Sequence, residues 1–382
     1  MLRKSLLLHP AHSPDCTCRH CEDPANVGAA LSLDKLGMVS EVEPVAVRNE
    51  EFLRDLLAWG IQQLEILGPA EARVNAERLL EEVTGLGRFE INLGNQFRIS
   101  KSEIRKNSKF EFQNSSDFVL RISDFSREYR RLVALRRERI PLAYLTGRAY
   151  FWNEALEVGP GCLIPRPETE ILVERFIERS GFGKDECFHF LDLGCGSGAV
   201  GIALLRHFPN ARAVFSDISK DALEITRKNL SRYALPDRAE VVESDLFQDI
   251  RRGTARRASP ANGNDNKKRS DPPVTFDAIL SNPPYVAERD WGMLEPEVLR
   301  EPAIALDGGP DGLDFYRRII SEVGARRAVP HLKPRGLLAL EVGIGQARKV
   351  SQWLFENGLD TGLRIFQDHN GVDRVVMARR NP

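Results

Sequence analysis

The chain has 382 residues, of which 42% are apolar and 29% charged, and its formal net charge is −1. That length suits about two domains with linker. The composition excludes wholesale disorder, and the missing basic excess argues against a polyanion binder. No apolar run approaches the ~18 residues of a membrane helix. The start, Met1–His9, is too poor in apolar residues for a secretory signal, and six cysteines make no disulfide scaffold. The expectation is a cytoplasmic protein with reduced thiols and no membrane partner.

Residues 1–45 show neither helical nor strand period and are expected to form a flexible tail. His9, His12, Cys16, Cys18, His20 and Cys21 are soft ligands, but their spacing fits no closed tetrahedral module. No metal is expected. Residues 46–140 suggest a helical domain. Phe52, Leu53, Leu56, Leu57 and Ile61 fall at helical spacing, as do Ala76, Leu79, Leu80 and Val83. Gly68-Pro69 separates the two helices, with proline suited to open the second, and Gly85 and Gly87 mark its stop. Residues 95–122 are polar and irregular, as in an insertion. A third helix is predicted from about Asp124 to Arg139, and its arginines predict a solvated face rather than a partner patch.

Between Thr146 and Ile164, aromatic and aliphatic residues alternate around Gly159-Pro160-Gly161. This predicts a hairpin within an interdomain segment, residues 141–166. From 167 to 382, strands and helices alternate, the signature of an α/β fold with a mostly parallel sheet. Strands are predicted at Phe188–Leu193, Ala213–Ser216, Glu240–Glu243, Phe276–Ser281, Leu337–Val342, Leu363–Phe366 and Val372–Ala378. Helices are predicted at Ala199–His207, Lys220–Tyr233, Leu313–Val329 and Gln346–Asn357. No helix separates the last two strands, so they should pair antiparallel. Residues 251–273 hold seven Lys/Arg against two Asp and predict a disordered surface insertion.

Two motifs carry chemistry. The first is Asp192-Leu193-Gly194-Cys195-Gly196-Ser197-Gly198, a strand entering a glycine turn and then a helix. Glycines let a ligand approach the main chain, and the N–H groups at the helix start favour its negative or polar groups. Gly194, Gly196 and Ala199, with Asp217 nineteen residues past Gly198, also satisfy a dinucleotide fingerprint. Asp192 tilts the reading toward S-adenosylmethionine, because its carboxylate would repel a pyrophosphate but suit a methionine ammonium. Asp217, at the end of the second strand, can accept both ribose hydroxyls.

The second motif is Asn282-Pro283-Pro284-Tyr285, at the C-terminal edge of a buried strand. Two prolines fix φ and remove two N–H donors, so the turn is stiff and presents carbonyls. An Asn side chain beside a fixed carbonyl offers two acceptors, which suit an –NH₂ group. Tyr285 adds a flat wall. Such a corner can aim a poorly nucleophilic amide nitrogen at a methyl carbon by positioning alone. Asn282 and Pro283 are therefore the candidate catalytic residues.

With these motifs stand Ala76-Glu77-Arg78-Leu79-Leu80, Pro141–Gly147 with Phe151-Trp152, Ile164-Pro165-Arg166-Pro167-Glu168-Thr169-Glu170, and Asp368 with Gly371-Val372-Asp373-Arg374. In that order they resemble the release-factor glutamine N5-methyltransferases, over roughly residues 48–94 and 127–380. The resemblance implies a small helical domain before a Rossmann-like methyltransferase sheet whose last strand is antiparallel. It implies methyl transfer from S-adenosylmethionine, leaving S-adenosylhomocysteine, to the glutamine of the Gly-Gly-Gln tripeptide in peptide chain release factors. Carried over by motif, Asp192, Gly194, Cys195, Gly196, Ser197, Gly198, Asp217, Asp245, Leu246 and Asn282 would border the cofactor, with Arg166 and Glu168 shaping its methionine end. Asn282 and Pro283 would grip the glutamine amide, with Pro284, Tyr285 and Phe151 around it. No metal is required, and a monomer is expected. The chain departs from the family in its tail, its two insertions and Leu246, where some relatives place a tryptophan. The rivals are an amino-methyltransferase acting on a nucleic-acid base, which meets the same geometric problem, and a binding protein that keeps the fold without catalysis.

Overall fold

The computed structural model describes residues 51–87, 115–250, 275–324 and 331–382. The Cys/His-rich tail, residues 95–114 of the polar insertion and the basic stretch 251–273 lie outside the described residues. Two helices open the described chain, α1 (Glu51–Gln63) and α2 (Pro69–Thr84), and α3 (Ser115–Arg137) follows. As the sequence predicts, Pro69 occupies the first turn of α2, and Gly85 ends it in the left-handed region at φ 72°. Leu56, Leu57, Leu64, Ala76, Leu79, Leu80, Tyr129 and Leu132 form its core. Gly60 has no side chain because the Tyr129 hydroxyl fills that space, reaching past it to the Ala76 carbonyl at 3.2 Å.

Two expectations need correction here. α3 starts at Ser115, inside the stretch expected to be irregular. Its arginines also do not all lie on a solvated face. Arg136 is buried and donates to Asn75 Oδ1 at 2.7 Å and to Glu297 Oε1 at 3.0 Å, and Arg139 donates to the same carboxylate oxygen at 3.0 Å. Sequence spacing could not show an acceptor some 160 residues away. This cluster pins the helices to the segment that follows the Asn-Pro-Pro-Tyr tetrad.

A short helix α4 (Leu142–Thr146) leads into a hairpin of β1 (Arg148–Phe151) and β2 (Glu154–Glu157). Phe151 pairs with Glu154, so the turn is Trp152-Asn153, with Trp152 at φ 57°. The expected turn at Gly159-Pro160-Gly161 is therefore wrong. That segment instead lies against the next domain, where Gly161 abuts Asp221 and accepts a hydrogen bond from Ser219 Oγ. A two-residue hairpin loop needs positive φ, and here tryptophan takes it rather than the glycines.

Helix α5 (Glu170–Arg179) precedes the main sheet. The chain then runs β3 (His189–Leu193), α6 (Ala199–His207), β4 (Arg212–Asp217), α7 (Lys220–Arg232), β5 (Ala239–Glu243) and β6 (Phe276–Ser281). It finishes with α8 (Asp314–Val323), β7 (Leu332–Glu341), α9 (Ala347–Glu356), β8 (Thr361–Gln367) and β9 (Asp373–Arg379). The seven strands lie in the order β5-β4-β3-β6-β7-β9-β8. β3 pairs parallel with β4 and β6, and β6 with β7, whereas β9 is antiparallel to both β7 and β8. The α/β expectation and the antiparallel final pair hold. β7 begins five residues before the predicted strand, across Pro334 and the left-handed Arg335, where its register with β6 shifts. A proline and an irregular register hide a strand start from any alternation rule.

Burial on both faces explains the strands' unbroken apolar runs. Phe190, Ala278, Leu280, Leu337 and Ala339 point to one face, under α5, α6 and α7. Leu191, Leu193, Ile279, Leu338 and Leu340 point to the other, under α8 and α9. Because β3 to β7 all run parallel, the loops that follow them emerge at one sheet edge. β3 neighbours both β4 and β6, so the chain turns opposite ways beside it, and such a crevice is where open α/β sheets hold ligands.

Candidate active site

Gly194, Gly196 and Gly198 all lie at positive φ (70°, 55° and 82°). A side chain built on Gly194 or Gly196 would meet no atom within 4 Å, so the loop's outer side is open to a ligand. Its inner side is held firmly. Gly194 and Cys195 donate to the Ser216 carbonyl at 2.8 and 2.9 Å. From α7, Thr226 donates to the Gly196 carbonyl at 2.8 Å and Asn229 to the Ser197 carbonyl at 3.0 Å. Cys195 and Ser197 are buried, so their main chain rather than their side chains lines the open side. Helix α6 begins at Gly198 without a side-chain cap, which leaves N–H groups there for polar ligand atoms.

Two carboxylates flank the loop. Asp217 ends β4; one oxygen accepts Gly196 N–H and the other Ser219 N–H, each at 2.9 Å. Burial pushes its carboxyl above the usual carboxylate range, and those N–H groups oppose the rise. A carboxylate has about four lone-pair sites, so both oxygens keep capacity for hydroxyl donors. Asp192 is buried in β3, and its Oδ2 accepts Gly201 N–H at 2.8 Å. Burial pushes it up to about 7, with the Gly201 N–H opposing and Asp217 adding to the rise. Half of this carboxylate, expected from the sequence to face a ligand, is thus spent on the α6 backbone.

After β5, Asp245 accepts from Arg318 at 2.6 Å, and Leu246 sits at φ 51° against the second core cluster. Ser244 stabilises this turn by donating to the Leu246 carbonyl at 2.8 Å.

Beside β3, Ser281 Oγ donates to the Leu193 carbonyl at 2.7 Å and ties the end of β6 to the glycine loop. Asn282 follows, half-buried, and its Nδ2 donates to Thr169 Oγ1 at 3.0 Å. Pro283 is buried, and the Tyr285 carbonyl accepts from Gln346 at 3.0 Å. Burial and then the nearby Glu341 charge push the Tyr285 phenol up to about 12, so it stays a neutral, flat surface at physiological pH.

Other sequence candidates sit differently. Phe151 is 1% exposed inside the first core cluster, whereas Tyr285 borders the second. The two rings are not brought together, and a fully buried ring offers no face to a substrate. Arg166 pairs with buried Glu301, which also accepts Ile164 N–H at 2.9 Å. It therefore anchors its own segment. Glu168 is exposed, and its charge acts on Tyr285, Glu341 and Arg374. Sequence reasoning missed Thr169 and Glu341 as neighbours of the tetrad. Only the register could have shown the second: Ser281 pairs with Leu340, so Glu341 leaves β7 beside Asn282.

Comparison with known proteins adds to this geometry. Residues 167–256 match the family model described as Methyltransferase small domain. The chain is 35% identical to the release factor glutamine methyltransferase of Gloeobacter violaceus, over 81% of this chain and 93% of that one. It is 33% identical to the release factor glutamine methyltransferase of Geobacter sulfurreducens, over 86% of this chain and 96% of that one. A solved protein-(glutamine-N5) methyltransferase (release factor-specific) from Alicyclobacillus acidocaldarius is 27% identical, covers 59% of this chain and 100% of that one, and has a TM-score of 0.31.

Proposed function

The chain belongs to the release factor glutamine methyltransferase family, and from that premise we propose that it methylates the side-chain amide nitrogen of a release factor glutamine, that of the Gly-Gly-Gln tripeptide, using S-adenosylmethionine. The observation that carries this reading is the corner after β6, where a proline-fixed carbonyl and the Asn282 side chain stand together beside the glycine loop.

The residues present fit the methyl donor. The open side of Gly194 and Gly196 admits a ligand that a Cβ would exclude. Asp217 keeps lone pairs for two ribose hydroxyls, and Asp192, whose Oδ1 is not used by Gly201 N–H, would be drawn to its charged form by a methionine ammonium. Asp245 and Leu246 would border the donor's adenine, Leu246 with an aliphatic side chain that cannot stack as an aromatic ring does. The bound donor supplies an electrophilic methyl carbon.

The chain's own residues do the rest. Asn282 and the Pro283 carbonyl accept the two N–H bonds of the substrate amide, and Tyr285 packs against its plane. Holding both hydrogens fixes the direction of the nitrogen lone pair. The gain is one of orientation, where a ~1 Å error costs on the order of 10²-fold. Methylation replaces one N–H bond with N–CH₃, and the displaced proton leaves to solvent.

Incubation with labelled S-adenosylmethionine and a purified release factor tests the reading. Label is expected on the parent factor and absent when the tripeptide glutamine is changed to alanine. Label on both places the acceptor elsewhere, and label only on RNA or DNA supports the nucleic-acid rival.

A further inference from the structure

Glu341 is the most unusual group near the tetrad. It is 1% exposed, and among the described residues no donor but the Thr169 hydroxyl serves its carboxylate, at a contact too loose to satisfy either oxygen. Burial pushes it up to about 7. The groups facing it are Thr169 and Arg374, which favour its charge, then Glu168, which opposes it, and Arg166, which favours it. Tyr285 and Tyr316 also lie within its field, and the Tyr316 hydroxyl donates to the Glu341 main-chain carbonyl at 3.0 Å. A buried carboxylate so poorly supplied with donors is costly, and a mere packing role does not account for it.

The Thr169 hydroxyl resolves this. It is 4% exposed, accepts from Asn282 Nδ2 at 3.0 Å and lies against the Glu341 carboxylate. A hydroxyl has one proton to give. If that proton points to Glu341, the Thr169 oxygen is an acceptor, and Asn282 must offer Nδ2 to it. Oδ1 then faces the crevice. If Asn282 were flipped, the Thr169 proton would turn to Oδ1, and the Glu341 charge would lose its hydroxyl donor. Nδ2 would then meet the donors of an –NH₂ group. Above about pH 7, where Glu341 is ionised, the carboxylate therefore selects the first arrangement.

We propose that Thr169 and Glu341 are positioning residues that fix the amide orientation of Asn282, so that the corner presents acceptors only and takes a carboxamide nitrogen rather than a carbonyl or carboxylate oxygen. The inference rests on the methyl-transfer reading above, and the test separates the two.

The experiment measures the parent first, on the release factor, then Thr169→Val, Thr169→Ser and Glu341→Met. For each it takes kcat, KM for the factor, the cofactor dissociation constant by calorimetry and the thermal midpoint. Thr169→Val keeps shape and loses the hydroxyl. Its kcat should fall on the order of 10- to 100-fold, with cofactor affinity within about two-fold of the parent. Thr169→Ser restores the hydroxyl and should recover most of that loss. Glu341→Met removes an ill-paired buried charge, so its thermal midpoint should stay level or rise while kcat falls. If Thr169→Val does not fold, Glu341→Met carries the same prediction. Parent-like kcat in Thr169→Val or Glu341→Met overturns the proposal. So does a Thr169→Ser variant as slow as Thr169→Val, or a Glu341→Met variant that loses stability and cofactor binding together with rate. A parent that leaves the factor unlabelled overturns the methyl-transfer reading itself, and the inference falls with it.

Discussion

Removing the Glu297 carboxylate should loosen the helical part from the tetrad-bearing half of the molecule. Arg136 and Arg139 share its Oε1, with side chains 6% and 33% exposed against 18% for Glu297. Deleting one partner of a fully buried pair costs about 3–5 kcal/mol. Here the cost is smaller, because Arg136 keeps Asn75 Oδ1 at 2.7 Å and the Ile140 carbonyl at 3.3 Å. For Glu297→Ala we expect about 1–3 kcal/mol, and for Glu297→Gln, which keeps a neutral acceptor, about half of that. Arg139→Ala, at the wetter contact, should cost at most ~1 kcal/mol. Urea unfolding at neutral pH measures all three. The pH dependence gives a second check. Burial alone would raise Glu297, but hydrogen bonds from Arg139 and Arg136 outweigh it and hold the group below its ordinary value. A depressed acid contributes stability above its unfolded value and loses it as pH falls through the folded one. The gap between parent and Glu297→Ala should therefore begin to narrow as pH falls below about 4, the unfolded value, and narrow further toward the lower folded one. A loss under ~0.5 kcal/mol, within the range of ordinary surface substitutions, or a gap that does not narrow at all as the solution is acidified would refute the latch.

Three further outcomes follow from the site. Asn282→Ala should lower kcat by on the order of 10²-fold or more while leaving cofactor affinity intact, since one preorganised contact is lost; equal turnover would remove Asn282 from the reaction. Asp217→Ala should weaken cofactor binding by roughly 1–3 kcal/mol in calorimetry, and an unchanged dissociation constant would contradict the ribose assignment. Burial raises Asp192 to about 7, so the fold holds a proton there that the unfolded chain has lost, and stability falls as pH rises from about 4 to about 7. Asp192→Asn should flatten that part of the thermal-midpoint profile, and a profile like the parent's would place the titration elsewhere.

Where local chemistry decides, the sequence was legible. Alternating strands and helices predicted the sheet because each face of a parallel strand is covered, and Pro69 and Gly85 marked helix ends through their own backbone limits. The glycine loop and the tetrad are legible for the same reason, since their conformations need those residue types. Other features depend on distant partners. The Arg136–Glu297 contact joins α3 to a loop beyond β6, and the Thr169–Glu341 pair joins the start of α5 to the end of β7. No local period encodes either. Gly159-Pro160-Gly161 has the composition of a turn, yet Trp152 takes the hairpin's positive φ. Phe151 looked like a substrate wall, yet its ring completes the core.

The most direct test is a crystal of the protein with S-adenosylhomocysteine and a glutamine peptide. The glutamine amide nitrogen should lie within hydrogen-bond distance of both Asn282 Oδ1 and the Pro283 carbonyl, with its free side toward the sulfur. An amide bound away from that corner, or bound with its oxygen toward Asn282, would contradict the account.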